Sequence, residues 1–315
     1  MLFDSETESF WIGALKMEEN MKKKMLFVYN PKAGKERIRS NLLDIIDIFS
    51  RADYEVTVYP TQERGDAEKA VMERDEKFDI VACSGGDGTL DEVVNGMWKS
   101  GRNTPIGYVP AGSTNDFAVS LGIPSKMHES ALSLVSGKPF ACDVGIMNEE
   151  TFVYIAAFGL FTDVSYLTRQ EIKNAIGHMA YILEGAKRLS EIKSYHVKVT
   201  YDEGVIEDDF VVGMVTNSTS VGGFKDITGK HVKLDDGVFE VTLVKLPDNM
   251  VDMSNLLASF INRDIDTEHM YCFKTKHVVF ESDEKIAWTR DGEYGGDHNV
   301  VDIRNENKAL TLIIP

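Results

Sequence analysis

No cysteine in this chain has a partner three residues away. Cys83, Cys142 and Cys272 are odd in number and widely spaced. That pattern excludes a disulfide framework and a zinc site built on paired thiols, and it fits a reducing cytoplasm. The seven histidines are scattered, with no His-Glu-x-x-His arrangement, so a metal centre of that type is excluded as well. Positive charge is scarce: 34 Lys and Arg stand against 51 Asp and Glu, for a formal net charge of −17. A surface of that sign repels phosphate backbones and argues against a nucleic-acid partner. Small cationic faces at Lys35, Arg37 and Arg39, and at Lys187, Arg188 and Lys193, read as solvated helix surface. No apolar run is long enough to cross a bilayer, and the first twenty residues lack the basic start and apolar stretch of a signal peptide. No segment is repetitive or low in complexity.

What remains is ordinary globular material, 43% hydrophobic and 27% charged over 315 residues, enough for two domains. From Met25 short apolar runs alternate with helical patterns. MLFVYN, YEVTVYP, FDIVACS and PIGYVP read as strands; RIRSNLLDIIDIFSRA, DAEKAVMERDE, LDEVVNGMWKS and MHESALSLVSG read as the helices between and after them. Strict alternation implies parallel strands with helices on both faces, the doubly wound α/β class. After about Gly137 the rhythm changes. FACDVGIMN, ETFVYIAAFG, YHVKVTYDE, FVVGMVTNS, GVFEVTLVKLP, YCFKTKHVVFES and KIAWTRDGE are each strand-like, interrupted by one helical stretch, TRQEIKNAIGHMAYILEGAKRLSEI. The spacing predicts a β-rich second domain.

The stretch VACSGGDGTLDEVVNG poses the functional question. A buried strand ends in Gly85, Gly86, Asp87 and Gly88, just before a helix. In a parallel sheet, ligands bind beyond the carboxyl ends of the strands, and glycines let backbone amides approach phosphate oxygens. Thr89 followed by Glu92 reads as a capping box. A cap explains the threonine but not three glycines around an aspartate. A carboxylate facing a polyphosphate repels it unless Mg²⁺ lies between them, so Asp87 points to metal-assisted phosphate chemistry. The Gly-x-x-x-x-Gly-Lys pattern of a Walker loop is absent, and residue 91 is Asp where a dinucleotide fingerprint has its third glycine.

Three further loops fall on the same sheet edge: NPKAGK with Asn30, the end of the second strand with Thr61, and PAGSTNDF with Ser113, Thr114 and Asp116. Ser113 with Asp116 also reads as a helix cap. Four such loops together favour a nucleotide site. TRDGEY contains a β-turn at Asp291-Gly292, and either Asp291 or Glu293 would accept a hydroxyl proton if the second domain folds over the cleft. KLDDGVFEV reads as a hairpin with an Asp-Gly turn, although Asp235 and Asp236 with nearby carbonyls also suit a hard cation.

NPKAG, GGDGTLDEV, PAGSTNDFA, LDDGVFEV and DGE, in this order, resemble the diacylglycerol kinase catalytic-domain family, and within it the soluble bacterial lipid kinases. The resemblance runs from about Lys22 to the C-terminus. GGDGT alone also resembles the loops of NAD kinases and phosphofructokinases; GSTNDF with a late DGE is specific to the lipid kinases. The resemblance implies residues 1–20 as an extension, an α/β ATP-binding domain over 21–138 rejoined by about 306–315, and a β-sandwich over 139–305. ATP would be held by Asn30, Thr61, the loop Gly85, Gly86, Asp87, Gly88, Thr89, Leu90 and Asp91, and Thr114. Glu293 matches the proton acceptor, with Asp291 and Asp87 in a magnesium and water network. A structural Mg²⁺ would take the Asp236 side chain and the carbonyls of Lys233 and Val238. Asp91 departs from the family's usual Asn and adds negative charge near the phosphates. The expected function is Mg²⁺-dependent transfer from ATP to the hydroxyl of a membrane lipid, diacylglycerol foremost, by a cytoplasmic enzyme touching the membrane transiently. A kinase of NAD or a sugar phosphate, and a catalytically silent nucleotide or lipid sensor, remain the alternatives. Oligomeric state, a homodimer included, stays open.

Overall fold

The computed structural model describes residues 22–74, 76–112, 115–159, 193–221, 224–225, 232–247, 249, 251–252 and 268–315. The expected helix at 168–192, the extension at 1–20, and Ser113 and Thr114 lie outside the described residues.

Four strands form the parallel sheet that the alternation predicts: β1 (Lys23–Tyr29), β2 (Tyr54–Pro60), β3 (Ile80–Gly85) and β4 (Ile106–Pro110), in the order β2-β1-β3-β4. β3 and β4 are buried throughout, which is why they carry unbroken apolar runs rather than alternation. Side chains of β1 divide by parity. Met25 and Phe27 face α1 (Ile38–Arg51) and α5 (Met127–Ser136), where Phe49 meets Phe27 edge-on at 5.4 Å. Leu26 and Val28 face the opposite layer, α2 (Asp66–Met72) and α3 (Asp87–Lys99). A short α4 (Asp116–Ser120) follows β4. α2 stops at Met72, short of the helix read over DAEKAVMERDE.

The second half is β-rich: β5 (Lys138–Met147), β6 (Glu150–Phe152), β7 (Ile155–Gly159), β8 (Tyr195–Tyr201), β9 (Gly204–Thr216), a small ribbon of β10 (Ser220–Val221) and β11 (Phe224–Lys225), then β12 (Phe239–Lys245), β13 (Met270–Thr275), β14 (His277–Arg290) and β15 (Glu293–Ile314). β9 pairs with β8 along its first half and with β7 and β12 along its second. β14 pairs with β8 and then β7 in the same manner, with its ladder to β15 interrupted between Glu281 and Ile286. Long strands thus turn from one layer into the next and enclose an aromatic core. There Trp288 lies 4.9 Å from Phe158 and 5.0 Å from Phe280, ring centre to ring centre.

Several local expectations are corrected. ETFVYIAAFG is two strands, bent at Val153 and Tyr154; YCFKTKHVVFES is two strands broken at Lys276. KLDDGVFEV turns at Leu234–Gly237 but is not a hairpin among the described residues. Its strand β12 pairs with β9 and β13 instead.

β15 joins the two halves. It pairs with β14 at its start and with β5 at its end, and Leu312 stands beside Ile106 of β4 in parallel register. Its register shifts between Glu306 and Leu310, where Lys308 takes φ 54°. The fully buried Asp143 carboxylate fills this irregularity. It accepts from Asn307 Nδ2 (2.8 Å), Lys308 N (2.8 Å) and, across the LDDG turn, Gly237 N (2.6 Å). Removing it orphans the buried Gly237 amide and the part-buried Lys308 amide, at ~1–3 kcal/mol each with the second towards the low end. Asp143→Ala is therefore expected to lose roughly 2–5 kcal/mol of unfolding free energy in urea titrations followed by circular dichroism.

Candidate active site

The carboxyl ends of β1 to β4 come together through main-chain hydrogen bonds. Asn30 N donates to Ser84 O (2.8 Å), Thr61 N to Tyr29 O (2.9 Å), and Ala111 N to Gly85 O (2.7 Å). Arg37 seals two loops by donating from Nη2 to Ala111 O (3.1 Å) and Gly112 O (2.9 Å). Gly34 adopts φ 54° against the Ala111 carbonyl, where a β-carbon has no room. Beyond these ends lies a cavity of about 400 Å³ lined by Asn30, Lys32, Ala33, Gly34, Thr61, Gln62, Glu63, Arg64, Gly86, Gly88, Thr89, Asp91, Glu92 and Glu293.

The glycine turn feeds α3 directly. Gly86 is its extended N-cap and Asp87 its first residue, with no side-chain cap. The capping box expected of Thr89 and Glu92 is thus absent. Thr89 sits inside the first turn, its own N–H bonded to Gly86 O (3.0 Å). Glu92 spends its carboxylate elsewhere, accepting from Gly65 N (2.9 Å) and Ala67 N (3.1 Å). It caps the neighbouring helix α2 and fixes the loop from Thr61 to Gly65. The start of α3, with its positive dipole end, is left facing the cavity through Gly86 and Gly88.

The other wall comes from the β14–β15 hairpin. Arg290 pairs with Glu293 across a two-residue loop, and both Asp291 (φ 47°) and Gly292 (φ 80°) take positive φ, the requirement of a type I′ turn. The two acids of this turn have opposite surroundings. Asp291 is buried, its carboxylate accepting from Val153 N (2.7 Å), Tyr154 N (3.0 Å) and Ile155 N (3.0 Å). These bonds use the amides that the bend between β6 and β7 releases. Glu293 is half-exposed at the cavity mouth. A β-carbon on Gly88 would stand 3.3 Å from Glu293 Oε1, so this carboxylate lies close against the α3 start.

Behind the cavity, acids from both halves crowd together. Asp87, Asp91 and Asp116 of the α/β half and Asp291 of the β-rich half are all buried. Asp91 and Asp291 share a hydrogen bond between carboxyl groups; burial first, then the other's charge, holds Asp91 well above the usual carboxylate range. Burial pushes Asp291 up to about 6, against the pull of its three amides and of Arg290. Because Asp291 accepts three donors, Asp91 is the member that keeps the proton. Asp91 also accepts from Asn95 Nδ2 (3.3 Å), and Asn95 Oδ1 accepts from Thr151 N (3.2 Å), tying α3 to β6. Tyr154 is buried among these acids, and desolvation followed by the charges of Asp87, Asp291, Asp116 and Asp91 raises its hydroxyl well above the ordinary value. It stays neutral.

Of the residues read from sequence, Asn30, Thr61, Gly86, Gly88, Thr89, Asp91 and Glu293 line one cavity. Gly85 lies behind it at the end of β3, Asp87 is buried at the helix start, and Leu90 packs into the core. Lys233, Asp236 and Val238 do not line the cavity; their turn sits beside Asp143. Lys32, Arg64 and Tyr154 were missed, and Glu92 was read only as a capping partner of Thr89. Lys32 and Arg64 lie within loops already marked by Asn30 and Thr61, whereas the contacts of Glu92 and Tyr154 are distant in sequence.

A family model described as "Diacylglycerol kinase catalytic domain" matches residues 24–147, and one described as "YegS C-terminal NAD kinase beta sandwich-like domain" matches 157–314. The chain is 31% identical over 277 residues to a diacylglycerol kinase of Bacillus subtilis (strain 168), covering 87% of this chain and 91% of that one. It is 32% identical over 279 residues to a diacylglycerol kinase of Staphylococcus aureus (strain MRSA252), covering 88% of each. A solved diacylglycerol kinase structure from Bacillus anthracis str. Sterne superposes with a TM-score of 0.74 at 26% identity, over 93% of this chain and 97% of that one. The chain belongs to the diacylglycerol kinase family of lipid kinases.

The acid pair makes stability depend on pH. Raised carboxyl pKa values mean that the folded state binds more protons, so the pair's contribution is whole below pH ~4 and is lost as pH rises through 6 and beyond. Asp91→Asn keeps a hydrogen-bond donor without the proton. In urea titrations it is expected to match the parent near pH 4.5 and to exceed it at pH 8 by about 1 kcal/mol or more. A parallel pH dependence in both proteins contradicts the shared proton.

Proposed function

We propose that this lipid kinase transfers the terminal phosphoryl group of ATP to the hydroxyl of a membrane lipid, with diacylglycerol, which gives phosphatidic acid, as the leading substrate. The observation that carries the reading is the approach of Glu293 to Gly88. It places an accessible carboxylate from one half of the molecule beside the bare helix start of the other, on one cavity. Amides at the α3 start bind phosphate oxygens. Asn30, Thr61 and Thr89 line the rest of the groove for the nucleotide. Glu293 takes the hydroxyl proton as the lipid oxygen attacks phosphorus. Asp291 does not touch the reacting atoms: its oxygens are held by the amides of residues 153–155, and it serves by fixing the turn that presents Glu293.

The buried carboxylate oxygens behind the α3 start suit a hard cation. Asp87 would hold magnesium there, where it would neutralise phosphate oxygens, since such transfer rests on positioning and charge stabilisation. A second hard-cation position is proposed at the LDDG turn, with the Asp236 carboxylate and the carbonyls of Lys233 and Val238 as an all-oxygen donor set. Lys274 Nζ, 3.5 Å from Asp236 and 2.8 Å from Glu240, already supplies positive charge on one side of that turn. No described helix is long and apolar enough to cross a membrane, so the lipid would be met by transient peripheral contact.

Glu293→Gln is expected to lower turnover ~10²–10⁴-fold while leaving the affinity for MgATP within a factor of a few. The measurement is labelled phosphate transferred from ATP to diacylglycerol in mixed micelles, resolved by chromatography. Undiminished transfer by the variant removes Glu293 from the proton-acceptor role.

A further inference from the structure

The cavity has an unequal charge lining. Lys32 and Arg64 are its cations, against the carboxylates of Glu63, Glu92 and Glu293, on a chain of net charge −17. A nucleotide polyphosphate entering this groove needs cationic partners among the residues that already face it. Arg64 is placed to be one. Its Nη2 lies 3.7 Å from Glu293 Oε2, beyond hydrogen-bond range, and its side chain is 71% exposed. An exposed contact of this kind stabilises little, so the guanidinium is free to change partners. Its loop, in contrast, is fixed from below. Glu92 holds Gly65 N and Ala67 N, and Asp66 Oδ2 accepts from Gln62 N (2.7 Å) and Glu63 N (3.1 Å). An exposed guanidinium on a loop held by four hydrogen bonds, opposite the Glu293 carboxylate, is the arrangement of a phosphate clamp.

We infer that Arg64 grips the terminal phosphate of the bound nucleotide and that Glu293 is its partner in the empty enzyme. When the triphosphate enters, the guanidinium turns from the Glu293 carboxylate onto oxygens of the γ-phosphate, and Glu293 is released to the acceptor hydroxyl. In the transfer the hydroxyl oxygen bonds to γ-phosphorus, the bond from γ-phosphorus to the β–γ bridging oxygen breaks, the hydroxyl proton passes to Glu293, and ADP departs. Arg64 remains charged and forms no covalent bond; it stabilises charge on the moving phosphoryl group. The inference rests on the reading of this groove as the phosphoryl-transfer site.

The test separates ATP from ADP. Affinities of MgATP and MgADP are measured by isothermal titration for the parent, Arg64→Ala and Arg64→Lys, without lipid, and turnover is measured with lipid. Loss of a charge-assisted contact to the γ-phosphate weakens MgATP about tenfold or more. MgADP is expected to stay within twofold, and Arg64→Lys to recover part of the loss. Turnover at saturating ATP falls in the same order, while the melting temperature holds, because the arginine is exposed. If Arg64→Ala weakens both nucleotides equally, or neither, in a parent that binds both, the clamp is overturned and the lipid kinase reading survives. If the parent binds neither nucleotide, both fall together.

Discussion

A buried carboxylate must collect donors, and Asp291 collects three from one bend of the chain. The amides of Val153, Tyr154 and Ile155 are available because the chain leaves one strand there before entering the next. Their convergence on a single side chain holds the bend and the hairpin turn together. The left-handed backbone at Asp291 and Gly292 then throws the following residue, Glu293, towards the start of α3. Much of the cleft depends on that anchor: the carboxylate at the mouth, its approach to Gly88, and the second acid, Asp91, which keeps a proton because its neighbour's lone pairs face donors.

The site accumulates like charge to a degree that would be self-defeating in an isolated fold. Four buried aspartates and a buried tyrosine meet where the two halves touch. Polar groups bridging α3 to β6, from Asp91 through Asn95 to Thr151, offset part of that cost. Arg290 adds a hydrogen bond to Thr151 O at 2.7 Å and a charge that favours both carboxylates. An arrangement so unfavourable when empty has most to gain from a cation and a phosphate group together, since each compensates what the other brings.

How much of this was legible in the sequence follows from the range of the interactions. The parallel layers were readable because burial on both faces writes unbroken apolar runs into β3 and β4, and helical spacing marks Ile38, Ile45 and Phe49. The strand-end loops were readable for the same reason: once strand order is alternating, their edge is fixed. Glu92 was misread because a capping box and a carboxylate reaching across to another helix have the same local sequence; only the position of Gly65 and Ala67 in space decides between them. ETFVYIAAFG looked continuous because the group that breaks it lies 138 residues away. The contrast between a buried, triply bonded Asp291 and a half-exposed Glu293 was illegible likewise, since it depends on which of the two meets the bend.

β15 begins at Glu293, at the cavity mouth, and ends beside β4, pairing on the way with strands of both halves. This has a consequence for biosynthesis. The parallel layer leaves the ribosome before β15 does, and its flank beside β4 is covered only when Leu312, translated some two hundred residues after Ile106, arrives in register with it. Until then the nascent sheet exposes an open strand edge, the kind of surface on which foreign strands pair. The chain must carry that vulnerability across the roughly two hundred residues that separate Ile106 from Leu312, until the pairing in β15 ends it.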